Sequence, residues 1–291
     1  MIRVAPDVAD ALRRRAPVVA LETTLVAHGF PEGEGLAVGQ ESARAVRDAG
    51  AVPATIGVIE GALRVGLSDS ELERFTAEAR KVGPRDIAAA IVQGAVGATT
   101  VGGTLAACRA AGIGFLGTGG IGGVHRGDRT DVSADLHELA QTEALVVSSG
   151  IKSILDVPAT MELLETLGVP VLGFRTDELP LFYTAGGGPS VPGRVESADE
   201  AAAVARTHWQ LKRRSGLLLA QPPPASLDDV EPLIQRALAQ AEEQSVRGPD
   251  VTPFVLSFLH EHSGGRTLEV NRELVLANAR LAAEVAVAYS T

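Results

Sequence analysis

ALVVSSGIKS, residues 144–153, is an apolar, β-branched run of strand length that stops in two serines, a glycine and a lysine. With no polar alternation along it, the run fits a strand buried on both faces, and such strands belong to parallel sheets covered by helices on each side. Comparable runs recur: PVVAL at 17–21, PATIGVI at 53–59, ATTV at 98–101, IGFLGT at 113–118, VPVLGF at 169–174 and GLLLA at 216–220. Between and after them, helical patterns cover 35–49, 69–79, 85–93, 134–141, 159–167, 201–213, 229–244 and 268–289. Strand-length runs alternating with helices predict an α/β fold in which crossover helices pack on a mainly parallel central sheet. No repeat of fixed period is present, and AGGGPSVPG at 185–193 and QPPP at 221–224 read as loops, so residues 1–291 are expected to form a single domain.

Composition narrows the function. The chain is 45% hydrophobic with 32 glycines and only 3% aromatic residues, which suits small-residue helices packed closely on a sheet. A net charge of −10 argues against nucleic-acid or anionic-membrane partners, whose binding needs a basic face. No run reaches the length of a membrane span, and MIRVAPDVADALRRRAP carries acids and arginines where a signal peptide needs an apolar core. The single cysteine, Cys108, excludes an intramolecular disulfide and reads as a small buried apolar residue, so a cytoplasmic protein is expected.

Of the 26 cationic residues only Lys81, Lys152 and Lys212 are lysines; the other 23 are arginines. A group that needs only positive charge can be either residue, but an amine that must lose its proton and attack a carbonyl cannot be arginine. Lys212, in QLKRR, reads as a solvated helix surface, and Lys81, in ARKVGPRD, as either a phosphate-binding or a surface lysine.

Ligands of open α/β sheets gather beyond the carboxyl ends of the strands. Three polar junctions lie there: Glu22-Thr23-Thr24, the loop GTGGIGGVHRGDRTD at 117–131, and SSGIKS. Lys152 reads as the start of a helix among apolar neighbours, a setting that favours the neutral amine; it is either a nucleophile or a salt-bridged or phosphate-binding lysine. Glu22 is either a general acid raised by burial or a carboxylate tied to an amide or arginine. The loop holds six glycines with His125 and Arg126, and is either a cradle for an anion or sugar or a plain turn. It matches neither the Walker A nor the dinucleotide pattern. Asp128, Asp131 and Asp135, with Ser133, provide hard oxygen ligands for Mg²⁺ or Mn²⁺, yet Ser133 followed by an acid also starts a helix without any metal. His28, in AHGF, has no spacing that picks out a function.

At these residues the chain resembles the pseudouridine-5'-phosphate glycosidase family, also called indigoidine-synthase-A-like. The resemblance runs from about Val4 to Tyr289 and rests on VVALETTLVAHGFP, GAVPATIGVIEGALRVGLS, TGGIGGVHRG, DVSADLHELA and SGIKSILDVPATMELLETLGVPVLGF. It implies a three-layer α/β/α fold, a homotrimer, and reversible cleavage of pseudouridine 5'-phosphate to uracil and ribose 5-phosphate through a lysine Schiff base. By position it implies Lys152 as nucleophile and Glu22 as proton donor. Lys81, Val101, Ser133, Ala134 and Asp135 would contact substrate, His125 would lie near the phosphoribosyl group, and Asp131 would bind Mn²⁺, or Mg²⁺, mostly through water. Two stretches depart from the family pattern: Gly83-Pro84, where many members carry Ser-Arg, and 185–188, where an arginine-containing stretch is replaced. Another Schiff-base sugar-phosphate lyase and a non-catalytic nucleotide-binding regulator are the alternatives.

Overall fold

A computed structural model of the chain describes residues 1–31, 33–127, 129–227, 229–246 and 251–291. Asp128, one of the three candidate metal carboxylates, lies outside them. The strands are β1 (Ile2–Val4), β2 (Val18–Glu22), β3 (Val52–Ile59), β4 (Ala62–Val65), β5 (Arg80–Val82), β6 (Gly97–Thr99), β7 (Phe115–Gly117), β8 (Leu145–Ser148), β9 (Val171–Phe174), β10 (Gly193–Val195) and β11 (Leu217–Ala220). The helices are α1 (Pro6–Arg13), α2 (Thr24–His28), α3 (Glu34–Asp48), α4 (Asp69–Leu72), α5 (Ile87–Val92), α6 (Val101–Ala111), α7 (Ala134–Gln141), α8 (Val157–Thr166), α9 (Ala198–Gln210), α10 (Glu231–Glu243), α11 (Val251–His262) and α12 (Arg266–Ser290).

One sheet runs β1-β4-β3-β2-β7-β8-β11-β9-β10. Its pairs are parallel except β3 with β4 and β3 with β6. Strand alternation divides the core into two layers. Val19, Leu21, Leu145, Val147, Leu217 and Leu219 face α3, α9 and α12, whereas Val18, Ala20, Val146, Leu218 and Ala220 face the side of α1, α6, α7, α8 and α10. The register Leu145↔Leu217 and Val147↔Leu219 keeps each set on its own face. The expected three-layer α/β/α arrangement with a mainly parallel sheet is therefore the observed one.

The sheet contains one unusual junction. β2 pairs with β3 as far as Ile56, and beyond that point β6, running the opposite way, takes over the same edge of β3 at Gly57 and Val58. The carboxyl ends of β2 and β6 thus meet head to head. Buried threonines fill the meeting point: Thr23 Oγ1 and Thr99 Oγ1 each donate to the Ile56 carbonyl at 2.8 Å, and the Thr99 amide donates to Thr23 Oγ1 at 2.9 Å. α2 and α6 both start at this gap, so two helix N-termini and two strand ends open onto one space.

Some expectations differ from the observed elements. The pattern at 69–79 gives only the four-residue α4: the Ser68–Glu71 capping box opens it, but the Phe75 amide then bonds to the Leu72 carbonyl three residues back at 3.0 Å, and the Phe75 ring is buried in one cluster with Val26 and Leu72. Lys212 lies just beyond the end of α9 rather than on the helix surface, at a left-handed φ of 61°. α6 carries no helical signal in the sequence because its opening, Val101-Gly102-Gly103, reads as a turn. Those glycines are close-approach positions: a Cβ at Gly103 would lie 2.6 Å from the Val82 carbonyl oxygen. Cys108 is fully buried in α6, and burial pushes its thiol up to about 12.

Candidate active site

The gap between strand ends is the mouth of a cavity of about 860 Å³. Its lining includes Glu22, Lys81, Val101, His125, Asp131, Ser133, Ala134, Asp135 and Lys152, so these nine candidate residues reach the same space. The three polar junctions converge because β2, β7 and β8 are parallel neighbours that end on one edge.

Glu22 ends β2, where its carboxylate accepts a short hydrogen bond from the Thr118 hydroxyl just after β7. Of the alternatives for Glu22, the partner is a hydroxyl, not an arginine. Burial pushes its carboxyl above the usual range; the positive charge of Lys152 and the Thr118 bond oppose this, Asp135 adds to it, and Lys81 opposes it weakly.

Lys152 is not at a helix start. The chain makes a turn there, with the Leu155 amide donating to the Lys152 carbonyl at 3.0 Å, and α8 begins only at Val157 under an Asp156 cap. Pro158, in the first turn of α8, fixes that later start. The lysine is therefore not at the N-terminus of α8, and its charge acts on Glu22 across the cavity. The loop after β7 is fastened to the turn by Asn278, whose side-chain amide donates to the Thr118 carbonyl at 2.9 Å and to Ser149 Oγ at 3.2 Å.

The glycine loop is fastened to two helix starts by side-chain bonds. Asp135, buried in the first turn of α7, accepts from the Gly102 amide at 2.7 Å and the Gly122 amide at 2.8 Å, tying the start of α6 to the loop. A Cβ at Gly122 would sit 2.3 Å from Ser133 Oγ, so only glycine lets the loop close on that helix cap. Ser133 caps α7 as expected, accepting from the Asp135 amide. Both Asp135 oxygens are thus engaged by backbone. Asp135→Ala, which strands two buried amides, should lower the unfolding free energy by roughly 2 kcal/mol. A denaturant titration checks this; an unchanged midpoint would show that the clamp is dispensable.

Arg126, a cation of the same loop, points out of the cavity. Its guanidinium donates to Glu231 at 2.8 Å and to the carbonyls of Ser153 at 2.5 Å and Leu155 at 3.1 Å. His125 and Asp131 face each other across a short hairpin closed by the His125 amide on the Asp131 carbonyl at 3.0 Å. Their side chains lie 3.9 Å apart, and the Asp131 carboxylate is 38% exposed. Among the described residues no cluster of three metal-ligating side chains forms. A solvated carboxylate of this kind fits a hard cation held mostly through water, and does not fit a full protein cage.

Lining residues with no sequence signal strong enough to find them include His28, Thr118, Phe182 and Asn271. His28 Nε2 donates to the Ala79 carbonyl at 2.9 Å, and burial lowers its pKa, so a neutral ring lines the cavity. Of the two stretches that depart from the family pattern, Gly83-Pro84 lines the cavity, whereas Gly187 and Gly188 line a separate depression of about 510 Å³ beside Arg126 and Glu231. No described helix is long and apolar enough to cross a membrane.

The chain is 50% identical to a protein of Chloroflexus aurantiacus named pseudouridine-5'-phosphate glycosidase, over all of this chain and 99% of that protein. It is 47% identical to one of the same name from Herpetosiphon aurantiacus, over 98% and 97% of the two chains. Among solved structures, the prealnumycin C-glycosynthase AlnA in complex with ribulose 5-phosphate superposes with a TM-score of 0.89 at 42% identity, covering 100% of this chain and 97% of that one. An indigoidine synthase A-like protein of Thermotoga maritima superposes at 0.88 with 41% identity, over 94% of each chain. The family model described as indigoidine synthase A like protein matches residues 7–288. With the fold matched over the length of both solved structures and the family model spanning nearly every residue, the chain belongs to the indigoidine synthase A like family.

Proposed function

We propose that this chain is a pseudouridine-5'-phosphate glycosidase that cleaves, and in reverse forms, the C–C bond between uracil and ribose 5-phosphate. The observation that carries the reading is Glu22, at the end of β2, and Lys152, in the turn after β8, lining one cavity, with the carboxyl raised by burial within the field of the amine. The names of full-length relatives at 50% and 47% identity support it.

The C–C bond resists simple acid hydrolysis because uracil C5 leaves only if its bonding electrons can enter the ring. Glu22 donates its proton to the ribose ring oxygen as the Lys152 amine attacks C1', so the sugar opens with C1' bonded to nitrogen. The new ammonium then loses a proton and uracil C5 gains one, after which the regenerated nitrogen lone pair forms the C=N bond and the C1'–C5 electrons pass to the uracil carbonyl system. Water then adds to the imine and releases ribose 5-phosphate. The backbone of Val101 in the first turn of α6, with Lys81, Ser133, Ala134 and Asp135, would hold the substrate, and His125 would sit by the phosphoribosyl group.

Asp131 would hold Mn²⁺, or Mg²⁺, mostly through water. A bound cation would supply charge for orienting phosphate or water. Asp131→Ala should abolish metal dependence and most activity, while a chelator should inactivate the wild type without unfolding it. Cooperative unfolding on chelation, read by circular dichroism, would instead mean a structural metal. The proposal includes a homotrimer in the cytoplasm, which sedimentation and cell fractionation test.

Measuring uracil released from pseudouridine 5'-phosphate decides the function. Release of another carbonyl product without uracil would mean a different Schiff-base sugar-phosphate lyase. Binding without turnover would mean a nucleotide-binding regulator.

A further inference from the structure

Six non-glycine residues among those described have a left-handed backbone: Arg15, Glu60, Arg175, Phe182, Lys212 and Ser245. Five are exposed turn positions; Phe182, at φ 63°, is buried and 4% exposed. A bulky residue in this region is a genuine outlier, held only where the surroundings over-determine it.

The surroundings of Phe182 do so. Its amide donates to the Ser149 carbonyl at 2.9 Å, at the end of β8, and Leu181 bridges to Gly150. Gly150, at φ 74°, has no room for a side chain, since a Cβ would lie 2.0 Å from the Pro180 carbonyl oxygen. The Tyr183 ring packs edge-on to Phe182 at 4.7 Å between centroids, and the Leu227 amide donates to the Tyr183 carbonyl at 2.8 Å. The segment is thus docked on the residues that immediately precede Lys152. It delivers the Phe182 ring to the cavity wall beside the glycine loop. A Cβ at Gly120 would lie 2.6 Å from Phe182 Cδ2 and 3.4 Å from Lys152 Cγ, so ring and lysine stem border the same small space.

We propose that Phe182 is a positioning residue for Lys152, its ring walling the lysine stem against Gly120 so that the amine keeps one path to C1'. The strained backbone persists because it aims the ring. This rests on the lysine-imine reading above.

The test is the rate at which borohydride traps the ribose 5-phosphate adduct on Lys152, measured across ribose 5-phosphate concentration in wild type, Phe182→Gly, Phe182→Leu and Gly120→Ala. Glycine suits a φ of 63°, so Phe182→Gly relieves the backbone while deleting the ring. The saturating rate should fall roughly 10- to 100-fold in Phe182→Gly and Gly120→Ala, the scale of a 1 Å misplacement, with half-saturation unchanged and partial recovery in Phe182→Leu. Trapping at the wild-type rate in Phe182→Gly would overturn the proposal, as would a loss confined to half-saturation, which would make the ring a substrate contact. Absence of any Lys152 adduct in the wild type would instead sink the imine reading itself.

Discussion

Lys152→Arg leaves a folded protein with no measurable turnover. Guanidinium keeps the positive charge that Glu22 experiences, but it stays protonated at any working pH and cannot add to C1'. The loss should reach roughly 10⁴-fold or more, as when a covalent nucleophile is removed. Stability should change by no more than about 1 kcal/mol, because the side chain is only half-buried and the turn around it is held by backbone bonds. Uracil release and a thermal melt on the same preparation check both halves. Mass spectrometry of wild type after ribose 5-phosphate and borohydride should place the sugar on Lys152; labelling of Lys81 would exchange their roles, and a Lys152→Arg enzyme that turns over would end covalent catalysis here.

The sheet was legible because its buried strands are continuous apolar runs, and seven of them mark where the chain crosses the core. The layers followed from alternation with helices. What escaped were elements whose signal is tertiary: β4 and β5 carry an arginine or lysine within their three or four residues and so show no apolar run, and α6 opens on two glycines set by packing, Gly102 against Asp135 and Pro84 and Gly103 against Val82. Glu22, Lys152 and the glycine loop could be found because each ends an apolar run. Thr118 and Asn271 could not, since a threonine after a strand and an asparagine in a long helix have many ordinary explanations. The Lys152 environment differs from the helix start expected there for a specific reason. SGIKS resembles a helix start, but Asp156 and Pro158 place the first turn of α8 five residues later, and the intervening turn presents the lysine to the cavity.

Glu22→Gln should lower the turnover rate by roughly 10²- to 10⁴-fold, the usual contribution of a positioned acid or base. The amide keeps the volume and can still accept from Thr118, but it has no proton to transfer. A general acid works in its protonated form. Because burial raises the Glu22 carboxyl, the limb that belongs to it is a fall in wild-type turnover as pH rises through that raised value, and this alkaline limb should vanish in the variant. Stability follows the same sign. A carboxyl whose folded pKa is raised stabilises the fold fully below its unfolded value near 4.5, and that contribution is lost as pH climbs through the folded one. At pH above the raised value the wild type carries a buried charge that Gln lacks, so Glu22→Gln should melt no lower than wild type there. A variant that turns over normally yet melts much lower would make Glu22 a structural carboxylate, and the ring-oxygen proton would have to come from another group, with His125 the first to test.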